Sequence, residues 1–534
     1  MDSLAHGLRR LPPALWLLCL LPLLAVLPPV PIDETRYLSI AWEMRQTGQW
    51  VTLHLNGVPY FDKPPLLFWL VNLVWSALGT TLWSARALLV LCGVGCVALC
   101  GRVERQLAPG GAGLAGWLML GLMFFVLYTG VVMFDVLLCL CVLLGFVAIV
   151  RHVRDGDRKA LLLLFAASAL GVLAKGPVML LHLAGPILLS PWWSERRPRV
   201  SWRSVLAMVL VAVLGGLPAL AWAWAAVHHL NPADAQELLL HQTAGRVVQS
   251  FAHNRPFWWY LPWVPVLLLP WPLLLRWRRV RAVARAWRES QAVRFGISAS
   301  LPALVAFCVV SGKQLHYLLP VMPGAVILLA AWLRHDATLL ALKRLWLLVA
   351  VVVAVFVWAV LRPAPLGGES LTRGEAIGMY VLSAALLVMA MLRLWRSRGT
   401  DTAVLAAQVS LFLALAILPL VRLQVLSALD VRPLAAHVVE LRGKGVPIVR
   451  TTNEPGLLTF LAHLPAPLPE NADPVAWCAQ HPDGVVLAYS GHGRAPEEAI
   501  SSAKLANGWT ALVPAQAVIK RPKAIDRWGD PSSD

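Results

Sequence analysis

Charge is scarce in this chain. Only 14% of its 534 residues are Asp, Glu, Lys or Arg, while 58% are apolar. With a mean hydropathy of +0.67, that balance excludes a soluble globule of this size, which would not carry repeated apolar runs near the twenty-residue spanning length. Carboxylates are the scarcest charge, 28 Asp and Glu against 46 Lys and Arg, for a net charge of +18. Neither a Walker loop nor an HExxH motif occurs, which removes the usual grounds for nucleotide-loop or zinc-protease chemistry. Cysteine is almost absent outside the apolar runs: of eight, only Cys478 lies beyond them, so no disulfide framework is implied. Cys92, Cys96 and Cys100 share one helix face by their spacing and suit packing between helices.

What is present is a series of apolar segments. Candidate spans are 14–30, 84–101, 112–129, 136–150, 160–175, 177–191, 204–227, 258–275, 295–311, 317–333, 343–361, 376–392 and 402–421, thirteen in all. The first follows Arg9 and Arg10 like a signal peptide, yet lacks a small-residue cleavage site, and is expected to be a retained signal anchor. Counted with the N-terminus inside, alternate loops hold 25 Lys and Arg on the inner side and about nine on the other before residue 422. The positive-inside asymmetry predicts a cytoplasmic N-terminus and an external C-terminus. It also accounts for the net charge without nucleic acid: the run RWRRVRAVARAWRES at 276–290 falls between two spans and reads as a topology determinant. Beyond residue 422 the composition changes, and helices at 430–443, 453–463 and 495–506 with strands at 446–451, 484–490 and 510–520 predict a small external α/β domain, 422–534.

Between the first two confident spans lies a polar island, residues 33–65, DETRYLSIAWEMRQTGQWVTLHLNGVPYFDKPP. Ionisable groups at a membrane boundary lose hydration, so they need a partner or a task. Asp33 can cap a helix to about Thr47, with Gly48 just past its end and Tyr37, Ile40, Ala41 and Met44 on one apolar face. Such a helix would lie along the interface. An Asn56-Gly57 turn follows, and 66–79 reads as a second interfacial or re-entrant helix. The expected topology places Asp33, Glu34, Asp62, Lys63, Asp135, Lys175, His241, Arg246, Arg255 and Lys313 at the outer side, a cavity with carboxylates and cations together. That combination suits group transfer from a lipid phosphate: cations stabilise the leaving phosphate and a carboxylate accepts or orients the acceptor's proton.

The motifs DETRY at Asp33, NGVPYFDKPP at Asn56, the lone Asp135, LAKGP around Lys175, His241 with Arg246, PFWWYLP at Pro256 and SGKQLHYLLP around Lys313 together resemble the polyprenyl-phosphate-sugar glycosyltransferases. Within them the chain is most similar to the bacterial aminoarabinose transferase and protein mannosyltransferase-like branch with the GT-C fold. The resemblance implies an inner-membrane enzyme that moves a sugar from undecaprenyl phosphate to a periplasmic envelope acceptor, lipid A-like or other, with the C-terminal domain periplasmic. It implies catalytic roles for Asp33, on the acceptor, and Asp135, near the donor sugar. Lys63 would contact the lipid phosphate, joined by Lys175, Arg246 and Lys313. Tyr317 would close the cavity, and Glu34 and His241 are further substrate-binding candidates. No metal is required by this reading. Asp62 with Glu237 and His241 is the one candidate set for a divalent ion, although Asp62 stands where the family often has Glu. A protein O-mannosyltransferase-like enzyme and a lipid-linked-sugar transporter are the rival readings, the second disfavoured because the inner loops offer few carboxylates. Topology reporters fused after Asp33, Asp135 and residue 430 should all report the external side. An internal signal at any of the three overturns the orientation.

Overall fold

The structure is a computed structural model that describes residues 11–195, 199–230, 232, 255–279, 290–362, 371–396, 401–451, 454–490, 495–505 and 508–520. Helix α1, Pro13–Leu24, is broken by a 3-10 turn. It leads to α2, Asp33–Thr47, which starts one residue earlier than a side-chain cap at Asp33 would require, since Ile32 occupies the cap position. Gly48 closes α2 in the left-handed region at φ 69°, the conformation that glycine adopts without steric cost. Strands β1, His54–Leu55, and β2, Val58–Pro59, pair antiparallel about Asn56 and Gly57, both at positive φ, as an Asn-Gly hairpin turn demands. Helix α3, Leu66–Leu78, is thirteen residues long and fits the expected interfacial element. Asn72 on α3 donates to the Ala41 carbonyl of α2 at 2.9 Å, tying the two helices together.

The membrane bundle follows. Its helices are α4, Leu82–Leu107; α5, Leu114–Leu120; α6, Met123–Thr129; α7, Phe134–Asp155; α8, Ala160–Lys175; α9, Val178–Leu188; and α10, Trp202–His228. Next come α11, Gln291–Val309; α12, Leu315–His335, which opens as a 3-10 turn; α13, Leu345–Leu361; α14, Arg373–Trp395; and α15, Thr402–Val421. Among the described residues, eight helices are long and apolar enough to cross a membrane, and four more apolar helices are shorter. The thirteen expected spans are therefore not thirteen regular helices. The expected span 112–129 splits at Gly121-Leu122, and 258–275 is reduced to turns of helix at Val264–Leu267 and Trp271–Leu274. The two broken segments satisfy each other: Met123 N–H donates to the Leu269 carbonyl at 3.2 Å, and the Trp271 indole donates to the Leu118 carbonyl at 2.9 Å. Irregular backbone at membrane depth is tolerated where protein partners replace the missing ladder bonds. The run 111–116 has the glycine spacing of a dinucleotide loop but follows helix α4 and not a strand, so it builds no phosphate cradle.

Helix α15 continues through a π-turn at Arg422–Leu426 into the C-terminal unit, where buried Arg422 lies 3.3 Å from Asp430. That unit contains α16, Arg432–Gly443; β3, Ile448–Arg450; α17, Pro474–Gln480; β4, Val485–Ser490; β5, Ser501–Leu505; β6, Gly508–Pro514; and α18, Ala515–Lys520. The sheet order is β3-β4-β6-β5, with β3 and β4 parallel and the other pairs antiparallel. The helix expected at 495–506 is instead strand β5: Ser501, Ala503 and Leu505 are buried and Ser502 and Lys504 exposed, the two-residue alternation of a strand. Residues 456–463, expected as part of a helix, form a chain of bends and turns, and the strand expected to reach 520 yields to α18 after Pro514.

Those turns grip α2. The Ser39 hydroxyl donates to the Gly456 carbonyl at 2.9 Å, and the Trp42 indole donates to the Leu464 carbonyl at 2.7 Å. Asn56 of the hairpin donates to the Glu454 carbonyl and carboxylate at 2.8 and 2.7 Å. Tyr37, Ile40, Ala41 and Met44 are buried as expected, but so are Ser39, Trp42 and Glu43 on the opposite side. Helix α2 is thus a filling between bundle and C-terminal unit, not a helix lying open on the interface. Gly456 sits at φ 80°, and a methyl group there would run into the Leu55 side chain. Gly456→Ala should therefore loosen the C-terminal unit, at a cost of about 1–3 kcal/mol, read as faster proteolytic cleavage near residues 427–431. Cleavage at the wild-type rate would show that this contact does not hold the unit in place.

Candidate active site

Three chain segments converge where α2, α7 and α8 meet. Asp135 is the second residue of α7 and Lys175 the last of α8. A carboxylate in a first helical turn and an ammonium in a last turn each complement the helix dipole. The two helices are an antiparallel hairpin, so these ends lie side by side. Lys175 Nζ donates to Asp135 Oδ1, with side chains 14% and 2% exposed. The Lys175 ammonium also stands over the Tyr317 ring, 4.4 Å from its centroid.

The other carboxylate oxygen of Asp135 faces His316, 3.8 Å from Nε2. Nδ1 of that imidazole lies 3.0 Å from the Tyr128 hydroxyl, and the two rings stack at 5.5 Å between centroids. Tyr317 meets His316 edge-on at 4.8 Å. Asp33 and Lys63 both lie within electrostatic reach of His316, as do Asp135 and Lys175. The geometry thus collects two carboxylates, two ammonium groups and two phenols around one imidazole ring. Phe134 fixes the α7 end by packing edge-on to Tyr37 of α2 at 4.8 Å.

A second element sets the position of α2. Glu34, one residue after Asp33, and Arg86 of α4 are both fully buried. Arg86 Nε donates to Glu34 Oε1 at 2.9 Å and Nη2 to Oε2 at 2.6 Å. The same carboxylate accepts from Val30 N–H at 2.8 Å and Val132 N–H at 2.9 Å. The guanidinium further donates to the Leu27 and Pro28 carbonyls at 2.7 and 2.8 Å. Glu34 was expected among the substrate-binding residues. Its oxygens are instead consumed by a closed internal network, so its position excludes direct contact with a substrate.

Lys313 is corrected in the same way. It is buried, and its ammonium donates to the Arg255 carbonyl at 3.0 Å and to the Val310 carbonyl. That fastens the chain at 255 to the end of α11 and occupies the ammonium with two carbonyls, while the cation paired with Asp135 is Lys175. Asp62 is exposed at the rim of the hairpin segment. Arg246, His241 and Glu237 lie outside the described residues, so their expected phosphate and metal roles have no geometry here. Among the described residues there is no group of three or more His, Cys, Asp or Glu placed to hold a metal ion. His316, Tyr128 and Arg86 are members of this arrangement that were not expected from the sequence. His316 stands inside the quoted SGKQLHYLLP motif, and Tyr128 one residue from the expected end of a span, so position alone gave a signal. Arg86 gave one as well, as a lone cation inside an apolar run.

Comparison with known proteins places this arrangement. The family profile described as dolichyl-phosphate-mannose-protein mannosyltransferase matches residues 62–222. An undecaprenyl phosphate-alpha-4-amino-4-deoxy-L-arabinose arabinosyl transferase 1 from Sodalis glossinidius is 33% identical over 328 residues, 58% of this chain and 56% of the relative. The enzyme of that activity from Pseudomonas aeruginosa is 30% identical over 310 residues, 55% of this chain and 54% of the relative. The matched segment thus spans little more than half the length of these curated relatives. The fold extends further. The crystal structure of ArnT from Cupriavidus metallidurans in the apo state superposes with a TM-score of 0.71 at 18% identity, covering 95% of this chain and 98% of that one. The form of the same protein bound to undecaprenyl phosphate gives 0.70 at 19% identity, covering 95% and 97%. The chain has the GT-C fold of these ArnT structures. As a GT-C protein it is a multi-pass membrane protein, and the charged cluster stands at one end of its bundle.

Removing one partner of a buried pair leaves an uncompensated charge, which costs about 3–5 kcal/mol. Arg86→Met should therefore lower the thermal midpoint of the detergent-purified protein by many degrees or prevent its accumulation. A midpoint equal to wild type would show that the Glu34 network is not structural.

Proposed function

We propose that this GT-C protein transfers a sugar, of the amino-arabinose class, from an undecaprenyl-phosphate carrier to a lipid A-like acceptor at the periplasmic face of the inner membrane. The single observation that carries this reading is the Asp135–Lys175–His316–Tyr128 cluster, which lies within electrostatic reach of Asp33 and Lys63. The arabinosyl transferase relatives supply the sugar and carrier by analogy. The orientation follows from the Lys and Arg asymmetry, which puts this end and the C-terminal unit outside.

In this reading the acceptor oxygen attacks the anomeric carbon as the bond from that carbon to the phosphate oxygen breaks, with inversion, releasing undecaprenyl phosphate. The leaving phosphate gains negative charge, which Lys63 and Lys175 offset without needing to protonate it. Asp135 holds the Lys175 ammonium in place, and its second oxygen faces His316. Asp33 orients the acceptor and takes its proton if that acceptor is a hydroxyl. If the acceptor is already a phosphate anion, no proton moves and Asp33 only positions it.

Asp33 lies at the surface of the Glu34 network without belonging to it, so Asp33→Asn should abolish transfer and leave membrane levels and thermal midpoint unchanged. Mass spectrometry of lipid A and glycolipids from cells with wild-type or variant protein reads both product and acceptor. A fully active Asp33→Asn variant would falsify the assignment.

A further inference from the structure

At the far end of the bundle, away from the Asp33 cluster, a second polar site occurs. Glu104 stands 18 residues along α4 from Arg86, and Arg334 stands 18 residues along α12 from His316, each about 27 Å away at 1.5 Å per residue. There the C-terminal ends of α4 and α12 and the N-terminal end of α11 enclose a cavity of about 450 Å³. Its lining includes Glu104, Glu195, Gln291, Arg334 and His335, with Leu107 among the apolar residues.

Glu104 is 1% exposed. Its Oε2 accepts the Ala115 N–H at 2.6 Å, but its Oε1 is buried with no hydrogen-bond partner among the described residues. Arg334 is the nearest cation, at 3.9 Å from that oxygen, too far for a hydrogen bond; its Nη1 donates to the Ala108 carbonyl at 3.1 Å. A buried carboxylate oxygen left without a donor is destabilising, so a ligand that supplies one gains from it. The neighbouring residue is Gly111, where a Cβ would press on both Arg334 and Glu104 Oε1. Across the cavity Glu195 accepts from Gln291 N–H at 3.0 Å and from Arg294 at 3.3 Å. The remaining donors of Arg334 and the exposed His335 ring supply the opposite sign.

We propose that this cavity binds a zwitterionic phospholipid headgroup with a primary amine, of the phosphoethanolamine class. Its ammonium donates to Glu104 Oε1 and its phosphate lies against Arg334 and His335. Three features select this chemistry. The orphaned carboxylate oxygen calls for an N–H donor, which a primary ammonium has and a quaternary one lacks. The adjacent guanidinium calls for an anion, and a planar fork suits phosphate. The site lies at the ends of membrane helices, where headgroups reside and acyl chains can continue along the apolar exterior. A free cation would meet the Arg334 charge, and a free anion the two carboxylates, so only a ligand bearing both signs matches the pair.

The test uses the full-length protein in detergent, incubated with phosphatidylethanolamine, phosphatidylcholine and phosphatidylglycerol of identical acyl chains, with retained lipid counted by native mass spectrometry. Wild type should retain the ethanolamine lipid over both others. Glu104→Gln keeps the shape but removes the charge, and should lower ethanolamine-lipid retention about tenfold, the loss of one charge-assisted hydrogen bond. Arg334→Gln, at a partly exposed position that does not threaten folding, should lower it to a similar degree. Equal retention of the three lipids by wild type overturns the proposal. So does an undiminished ethanolamine preference in a folded Glu104→Gln or Arg334→Gln variant. The sugar-transfer reading has no part in this outcome, since the site is remote from the Asp33 cluster and the readout is lipid retention.

Discussion

The Glu34–Arg86 pair is the constraint on which the arrangement of the candidate active site depends. A buried ion pair repays its desolvation only when the remaining lone pairs and protons are also satisfied. Here they are: the carboxylate accepts two guanidinium bonds and two backbone N–H bonds, and the guanidinium spends its other donors on carbonyls of the α1–α2 connection. One network therefore ties together the chain entering α2, the first turns of α4 and the segment leading into α7. Asp33 immediately precedes Glu34 and Asp135 follows Val132 by three residues. The two candidate catalytic carboxylates are thus referenced to the same buried charge.

Around this anchor the polar groups are sorted by what surrounds them. Fully enclosed ones, Glu34, Arg86 and Lys313, are consumed by internal partners. Those at helix termini, Asp135 and Lys175, gain from the dipoles of α7 and α8 and yet face an imidazole and a phenol ring, so their charge is aimed and not merely neutralised. The C-terminal unit contributes by covering the second side of α2 through Ser39, Trp42 and Asn56, which converts an amphipathic helix into a buried one and holds the hairpin that precedes Lys63.

Much of this was legible along the chain. Apolar run length and Lys and Arg bias gave a polytopic protein, and the glycine after Thr47 and the Asn-Gly turn gave the end of α2 and its hairpin. These signals are local: they rest on backbone preferences and transfer energies that need no distant partner. The misreadings share the opposite cause. The run 112–129 is apolar enough to span, but it breaks because Leu269 and Trp271 offer replacement hydrogen bonds. The stretch 495–506 has helical composition, yet pairing with β6 selects its two-residue alternation.

The sequence by itself determined the membrane class, the polar island and the kinds of charge available for chemistry, because hydrophobicity and turn preference are properties of short segments. Only the tertiary structure decided the task of each charge. Glu34 and Asp33 are adjacent and chemically alike, yet one is locked onto Arg86 and the other stands within reach of His316. Lys175 and Lys313 end similar apolar runs, but one meets a carboxylate and the other two carbonyls. The difference lies in partners far away in sequence, brought near by packing, and no local pattern encodes it.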